Sequence, residues 1–273
     1  MKRASWVLLA ALLALPGCDT YHYLAGTWRD DSGRPVEALA HYRKFLEDLP
    51  RDPRACEVRL RAAAIYERFG RWAEARRDFE AAARDFPRQP ACVSRAKLAL
   101  LSCPDYFPLD AGRSWVYVDS ASRGQAMRQD SETRRATPEG GEIRSVLYAG
   151  ATVFSRKTES YRKSDWAIWL VDGKSREPIL RYPFEAGQSW SATRGRGRKR
   201  RRVDWLVVSS TATVSVAAGE FKDCLKVREY DHSIKGAWIF HYYCPGVGLT
   251  RTTVGGKGYE NPNTELLRFD KMD

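Results

Sequence analysis

The sequence contains few of the residues on which common catalytic and metal sites depend. Only four histidines occur among its 273 residues, and no two have the spacing of metal ligands: His22, His41, His232 and His241. Neither an HExxH motif nor paired CxxC motifs are present, and no glycine-rich loop ends in Lys-Ser or Lys-Thr. We therefore expect a chain without enzymatic activity, metal or cofactor.

Two stretches do contain Gly-x-Ser, the start of a catalytic serine turn. FPLDAGRSW (residues 107–115) and YPFEAGQSW (residues 182–190) share one pattern of aromatic, Pro, Ala-Gly and Ser-Trp. A nucleophile elbow is Gly-x-Ser-x-Gly and precedes a helix, but here the second glycine is missing both times. We interpret the stretches as equivalent strand entries that place Trp115 and Trp190 in a core, which raises the possibility of an internally duplicated β domain.

No apolar run reaches the roughly 20 residues that a membrane-spanning helix needs. The chain instead opens with Lys2 and Arg3, continues with a mainly apolar stretch over residues 5–15, and places small residues before Cys18. This is the layout of a secretory signal.

The tetrapeptide Leu-Pro-Gly-Cys at residues 15–18 resembles the bacterial lipobox, in which a peptidase cuts before a lipid-modified cysteine. The resemblance implies a signal peptide at residues 1–17, palmitate-containing lipid on Cys18, and a membrane-anchored protein that faces the periplasm. Asp19 would favour the inner membrane by resemblance to enterobacterial lipoproteins, but other bacteria differ, so inner and outer membrane both stay open. The alternative is a soluble secreted protein.

Six cysteines in an exported chain permit disulfides. If residues 222–230 and 237–244 form a hairpin, facing residues have numbers that sum to 468, so Cys224 lies opposite Cys244. Cross-strand separations of roughly 4.5 to 5.5 Å suit a disulfide, and we predict that bond.

A second pair of cysteines occupies matching places in two helices. Cys56 and Cys92 stand in ACEVR and ACVSR at the starts of successive helices that would run side by side. We predict a second disulfide there, which leaves Cys103 without a disulfide partner.

Residues 22–101 have apolar side chains at helical spacing. One pattern recurs after 37 residues: Gly33, Ala38, Tyr42, Phe45 and Pro50, then Gly70, Ala75, Phe79, Ala82 and Pro87. With Tyr66, the second set resembles the tetratricopeptide repeat, which implies two helical hairpins capped by a helix at residues 91–101. Generic helical hairpins are the alternative. Because two units bury little surface, we expect them to depend on the rest of the chain or on a partner.

From Cys103 onward, short runs of Trp, Tyr, Val and Thr alternate with turn residues, as in strands. We predict ten strands, at residues 114–119, 127–136, 143–157, 165–171, 178–182, 203–210, 213–217, 222–230, 237–244 and 248–254. Because helices are absent between them, the sheet should be antiparallel, curved or an open barrel. VGGKGYENPN (residues 254–263) is interpreted as a flexible loop. The predicted fold class is thus α+β, with a helical domain at 18–103 and a β domain at 104–273.

The formal net charge of +12 is concentrated in one run. RGRGRKRRR carries seven basic residues: Arg194, Arg196, Arg198, Lys199, Arg200, Arg201 and Arg202. Its glycines and lack of apolar residues predict a disordered loop. Simple solvation and contact with anionic lipid or acidic envelope polymer both stay open, since each basic residue adds about 1 kcal/mol near a charged membrane. Behind a signal peptide, nucleic acid is not an expected partner.

Four segments of the β domain resemble, in their order, a set of uncharacterised bacterial lipoproteins: FPLDAGRSWVY, YPFEAGQSW, VSVAAGEFKDCLKV and YYCPGVGLTR. The resemblance implies the fold and carries no assigned activity. Our hypothesis is a non-catalytic, lipid-anchored envelope protein whose helical repeats mediate protein contact or envelope assembly. The alternative is a carrier or sensor that binds an amphiphile in the tryptophan-rich curved sheet. An unrecognised cell-wall enzyme has little support.

Overall fold

The protein is described by a computed structural model over residues 18–173, 175–195, 197 and 200–270. The predicted signal peptide lies outside these residues. Packing divides the chain between Ala96 and Lys97 into a helical unit and a β unit. The sequence placed this boundary at 103/104. The difference arises because the chain after Ala96 contributes to the β core, where Leu101 packs with Tyr106 and Ile168.

The described residues contain five helices. They are α1 (Cys18–Asp31), α2 (Pro35–Asp48), α3 (Ala55–Arg68), α4 (Trp72–Asp85) and α5 (Pro90–Leu100). Pro35 begins α2, where its fixed φ suits the first helical turn and its missing N–H costs no hydrogen bond. Gly33 and Gly70 follow α1 and α3 with φ of 74° and 67°, a backbone conformation that favours glycine after a helix.

The helices of the helical unit pack as hairpins through the repeated residues. α1 packs against α2, and α3 against α4. Gly26 lies so close to the ring of Tyr42 that an added Cβ would stand 2.7 Å from it, so a small residue is needed there. Seven repeat positions are buried: Ala38, Tyr42, Phe45, Tyr66, Ala75, Phe79 and Ala82. The Cys56–Cys92 disulfide is present and connects the starts of α3 and α5.

The described part of the β unit contains twelve strands. They are β1 (Ser114–Asp119), β2 (Met127–Thr137), β3 (Gly140–Ala149), β4 (Thr152–Ser164), β5 (Ala167–Asp172), β6 (Ser175–Arg181), β7 (Ser189–Arg194), β8 (Arg201–Val216), β9 (Gly219–Asp231), β10 (Ala237–Cys244), β11 (Gly248–Gly256) and β12 (Tyr259–Asp270). All their pairings are antiparallel, which confirms the predicted curved antiparallel sheet.

The strands form one sheet in the order β6-β5-β4-β3-β2-β1-β12-β11-β10-β9-β8-β7. The order consists of two six-stranded meanders, β1 to β6 and β7 to β12, joined where β1 pairs with β12. β6 and β7 stand at opposite ends of this order, yet the indole N–H of Trp190 in β7 donates to the carbonyl of Pro178 in β6 at 2.8 Å. The sheet is therefore a nearly closed barrel whose edges meet through side chains.

The β9–β10 hairpin has the register that the sequence predicted. Facing residues such as Glu229 and Ile239, or Leu225 and Tyr243, have numbers that sum to 468. The Cys224–Cys244 disulfide follows one step further along the same register and is present.

The structure corrects several predicted elements. The strand at 143–157 is a hairpin that turns at Gly150, whose φ is 58°. The strands at 203–210 and 213–217 are one continuous strand, β8, with irregular register. β7 was missed, and residues 254–263 are not a flexible loop, because they turn from β11 into β12. β12 carries Asn-Pro-Asn and alternating polar residues, which masked its strand character.

The Cys224–Cys244 bond should be a main stabiliser of the β unit. It spans a sequence separation of 20, for which chain entropy gives about 3 kcal/mol of unfolding free energy. We expect the Cys224→Ser/Cys244→Ser variant to lose about that amount in urea unfolding of the β unit, followed by tryptophan fluorescence. Cys56→Ser/Cys92→Ser is the matched control, because its bond lies in the helical unit; equal losses in the β transition would contradict the prediction.

Candidate functional site

The two AGxSW stretches form the same turn against the neighbouring strand. In the first, Gly112 has a φ of 80°, and its N–H donates to the carbonyl of Thr133 at 2.9 Å. The N–H of Thr133 donates in return to the carbonyl of Arg113, also at 2.9 Å.

The second stretch repeats this exchange on β8. Gly187 has a φ of 91°, and its N–H donates to the carbonyl of Val207 at 2.8 Å. The N–H of Val207 donates in return to the backbone carbonyl of Gln188 at 2.9 Å. Trp115 and Trp190 are both buried. The predicted equivalence of the two strand entries is thus confirmed, and glycine serves the turn rather than a catalytic serine.

The residues opposite the two tryptophans differ. Trp190 pairs across the strands with Trp205, and their rings stack 6.0 Å apart. Trp115 instead pairs with Ser131, which lies beside Ser145 on β3. Because a serine replaces an indole, the first half of the sheet leaves space where the second half is filled.

That space is a cavity of about 170 Å³. Its walls come from strands β1 to β4, the start of β11 and the segment before β1. The lining residues are Phe107, Pro108, Trp115, Tyr117, Gln129, Ser131, Ile143, Ser145, Glu159, Tyr161, Gly248 and Leu249. It is an aromatic chamber with a few polar groups, as small-molecule sites commonly are.

The aromatic walls are held in fixed contacts. The rings of Phe107 and Tyr161 lie 4.8 Å apart, and the Tyr117 hydroxyl donates to the carbonyl of Leu249 at 3.0 Å. Burial raises the pKa of both Tyr117 and Tyr161. These phenols therefore stay neutral, and the aromatic side chains of the lining contribute no charge at physiological pH.

The polar groups lie along β2, β3 and β4. Gln129 donates to the Ser131 hydroxyl at 3.0 Å, and the hydroxyls of Ser131 and Ser145 are 2.9 Å apart. Glu159 supplies the sole carboxylate among the lining residues. Its partner is the ammonium of Lys157 at 2.7 Å, whose side chain is 66% exposed while that of Glu159 is 22% exposed.

A second, more open depression of about 590 Å³ surrounds Lys163. This buried ammonium donates to Ser102 at 2.8 Å and to both carboxylate oxygens of Asp105 at 3.0 and 2.9 Å. Its charge is already compensated, so the aromatic cavity is the better candidate for ligand binding.

A buried ionic cluster lies elsewhere in the same unit. Arg194 of β7 binds the carboxylate of Glu177 on β6 and that of Glu229 on β9, and Glu229 also contacts His241 of β10 at 3.0 Å. Burial opposes ionisation of Glu229, but hydrogen bonds from His241 and Arg194 outweigh it and lower its pKa to about 2. Burial disfavours the charge of Arg194, yet Glu177 and Glu229 raise its pKa.

The cluster corrects the interpretation of the basic run. Arg194 is the last residue of β7. Arg201 and Arg202 are the first residues of β8, and Arg194 pairs with Arg201 across the two strands. Arg201 also binds Asp231 at 2.9 Å, and Arg202 binds Asp204 at 2.8 Å. The run is therefore no disordered loop at its ends, because carboxylates on neighbouring strands hold these arginines; Arg196, Arg198 and Lys199 lie outside the described residues.

The remaining predicted site residues are distributed over the helical unit and the core. Cys18 is the first residue of α1, and its side chain lies outside what the structure describes. Cys103 is buried and outside both disulfides. His22 and His41 lie together, with their Nδ1 atoms 2.9 Å apart, and burial followed by Arg29 lowers the pKa of His41.

Within the part of the chain that the structure describes, no three His, Cys, Asp or Glu side chains gather so as to hold a metal ion. That part of the chain also contains no helix that is long and apolar enough to cross a membrane.

One face of α1 is apolar and uncovered. Tyr21, Leu24 and Trp28 follow helical spacing and are 58%, 58% and 59% exposed. The residues displaced by 37 from Tyr21 and Trp28 are Val58 and Ile65 of α3, and both are fully buried. At these two positions the first hairpin thus presents apolar surface that is covered in the second, whereas Leu24 corresponds to Arg61, whose side chain is 31% exposed.

Sequence reasoning missed the acidic groups inside the sheet. Glu159, Glu177 and Glu229 are partly or fully buried on strands that were predicted short, merged or out of place. The period-two spacing of Lys157, Glu159 and Tyr161 on β4 was the available signal, because such residues share one face of a strand.

Comparison with known proteins identifies no family. No family model matches the chain, and no curated protein matches it. Among solved structures, a protein assigned as exported with a YmcC-like fold from Bacteroides fragilis shares 15% identity at a TM-score of 0.39, over 60% of this chain and 98% of that one.

Two further solved structures show similarity that is as low or lower. A protein assigned as a lipoprotein from Parabacteroides distasonis shares 16% identity at a TM-score of 0.40, over 60% of this chain and 98% of that one. LprF from Mycobacterium bovis shares 8% sequence identity at a TM-score of 0.19, over 66% of this chain and 95% of that one. These values assign neither a family nor an activity to this chain.

Acid should weaken the protein through Glu229. Because the folded-state pKa of this carboxyl is depressed to about 2 from 4.5, its contribution is complete above pH ~4.5 and is lost as pH falls through 2. At pH 7 we expect Glu229→Gln to lower the unfolding free energy by about 3 kcal/mol, with the difference closing toward pH 2.

Urea unfolding at a series of pH values measures this difference. Glu132→Gln is the control, since Glu132 is half exposed on β2 and pairs with Arg134. A loss in Glu229→Gln that does not change with pH would contradict the assignment.

Proposed function

We propose that the chain is a non-catalytic, lipid-anchored protein of the bacterial cell envelope whose tetratricopeptide-like helical unit binds a protein partner. The observation that carries this proposal is the uncovered face of α1. Repeat arrays bury their faces against neighbouring units and need a polar cap at each end. An end with exposed Tyr21, Leu24 and Trp28 lacks such a cap.

The partner that fits this face is a helical hairpin of another protein. In the second hairpin, the equivalent Val58 and Ile65 are buried within the helical unit, so the same side of α1 has the shape that a preceding hairpin would contact. The guanidinium of Arg34 lies 4.5 Å from the Trp28 ring centroid and adds a cation–π contact at its rim. The buried Tyr66, Ala75, Phe79 and Ala82 support the tetratricopeptide assignment.

Site-specific photo-crosslinking in bacterial cells tests the partner surface. A photoreactive residue in place of Leu24 should give a discrete crosslinked protein, and Tyr21→Ser/Trp28→Ser should reduce that product at least tenfold. Because these side chains are exposed, circular dichroism should show unchanged helix content. The control position is Val208, an exposed apolar residue of β8. The same product from both positions, or lipid alone on Leu24, would refute the proposal.

The anchor is proposed at Cys18, with the first 17 residues as signal peptide and the folded units in the periplasm. It rests on the lipobox resemblance of residues 15–18. We expect the wild-type chain to incorporate labelled palmitate and to sediment with membranes, and Cys18→Ser to do neither. Cys103→Ser should keep the label. Label retained in Cys18→Ser would overturn this assignment, and the membrane that carries the label distinguishes inner from outer.

The basic run is a further proposed contact with anionic lipid or acidic polymer. Arg194, Arg201 and Arg202 already bind carboxylates of the β unit. The proposal therefore concerns four of the seven basic residues of the run: Arg196, Arg198, Lys199 and Arg200.

The second candidate function is binding of an amphiphile by the β unit, and the aromatic cavity favours it. The cavity is formed by the replacement of an indole by Ser131 opposite Trp115. Its lining combines aromatic and aliphatic side chains with a few polar groups, the composition that orients a ligand with one polar end.

A further inference from the structure

The charge of the aromatic cavity restricts the ligands that it can bind. Among the lining residues, Glu159 carries the one formal charge, and the two tyrosines stay neutral because burial raises their pKa. An anionic head group would therefore meet a carboxylate and no cation among the lining residues. A positively charged group would meet a partner that is itself largely buried.

The walls favour the same class of ligand. Four aromatic side chains contribute to the lining: Phe107, Trp115, Tyr117 and Tyr161. Aromatic rings attract organic cations through the negative electrostatic potential of their faces. Rings around one carboxylate form the chemical environment that proteins use for ammonium groups.

Lys157, which is not among the residues lining the cavity, is the cation that pairs with Glu159. Its ammonium lies 2.7 Å from Glu159, but its side chain is 66% exposed. An exposed ion pair contributes little, because solvent screens it and the long side chain loses freedom. A ligand ammonium can therefore displace Lys157 at small cost.

The volume fixes the size of the ligand. A cavity of about 170 Å³ is comparable to the engineered ~150 Å³ cavities that bind benzene. We propose that this cavity binds a small organic cation, consisting of one ring or an alkyl group of that size with an attached ammonium that pairs with Glu159. This proposal rests on the second candidate function and names its ligand class.

Three probes of matched shape test the proposal: phenethylamine, 2-phenylethanol and phenylacetate, which are cationic, neutral and anionic. Binding is measured by calorimetry on the lipidated protein in nanodiscs of neutral lipid. We expect phenethylamine to bind at least tenfold more tightly than 2-phenylethanol and phenylacetate not to bind.

Two substitutions should act in opposite directions on the amine. Glu159→Gln removes the carboxylate and should weaken phenethylamine at least tenfold, to the affinity of the alcohol. Lys157→Ala removes the internal competitor and should strengthen it about threefold. Glu132→Gln is the control for a carboxylate outside the cavity and should change nothing. Ser131→Leu fills the cavity and should abolish binding of every probe.

The outcomes separate this proposal from the one on which it rests. If 2-phenylethanol or phenylacetate binds as tightly as the amine and Glu159→Gln has no effect, the cation preference is wrong while the cavity remains a ligand site. If no probe binds, and Ser131→Leu behaves as the wild type, both the ligand class and the second candidate function fail.

Discussion

Closure of the sheet by side chains is the constraint on which the β unit depends. β6 and β7 end the hydrogen-bonded order of strands, so a row of backbone groups on each edge would otherwise face solvent or another chain. Trp190 reaches the carbonyl of Pro178, and Arg194 binds Glu177, across this gap. Arg194 also binds Glu229 of β9. The guanidinium of this one residue therefore links the edge strands β6 and β7 to a strand in the interior of the sheet.

This solution concentrates stability in a few polar groups. A buried ion pair gains little over an apolar contact of similar size, but loss of one partner leaves an uncompensated charge that costs about 3 to 5 kcal/mol. The closure is therefore specific rather than merely strong. The closure requires Arg194 to be part of β7, because only there can its guanidinium reach Glu177 and Glu229. Arg194 therefore has a structural role, although in the sequence it is one of seven basic residues in a predicted loop.

The two six-stranded halves show how a binding cavity can arise from a repeated plan. Each half begins with an AGxSW turn that exchanges two hydrogen bonds with the adjacent strand. Where the second half sets Trp205 against Trp190, the first sets Ser131 against Trp115. Both halves use the same glycine and tryptophan in the turn. The residue that faces the tryptophan differs, and the small Ser131 opposite Trp115 leaves the space of the cavity.

The sequence predicted those features that depend on local patterns. Helical spacing, the Gly33 and Gly70 turns, the AGxSW strand entries and the 468 register follow from residues that are near in sequence or related by repetition. β12 was missed because charged and turn-forming residues dominate its composition, and β7 because it is short and has small polar residues around Trp190. Pairing with β1 and β8 overrides these local preferences. The cavity could not be predicted, because it depends on which residue faces Trp115 from another strand.

The cavity volume also bears on the wider choice between an amphiphile carrier and a sensor. Sites that enclose drug-sized ligands occupy about 300 to 1,000 Å³, and 170 Å³ is well below that range. A whole lipid would leave most of its apolar surface outside, where burial could not supply the roughly 25 cal/mol per Å² that holds it. The exposed Phe154 on β4 is a single residue and cannot replace an enclosing wall. The cavity therefore suits recognition of a small group, as a sensor requires, better than transport of a lipid.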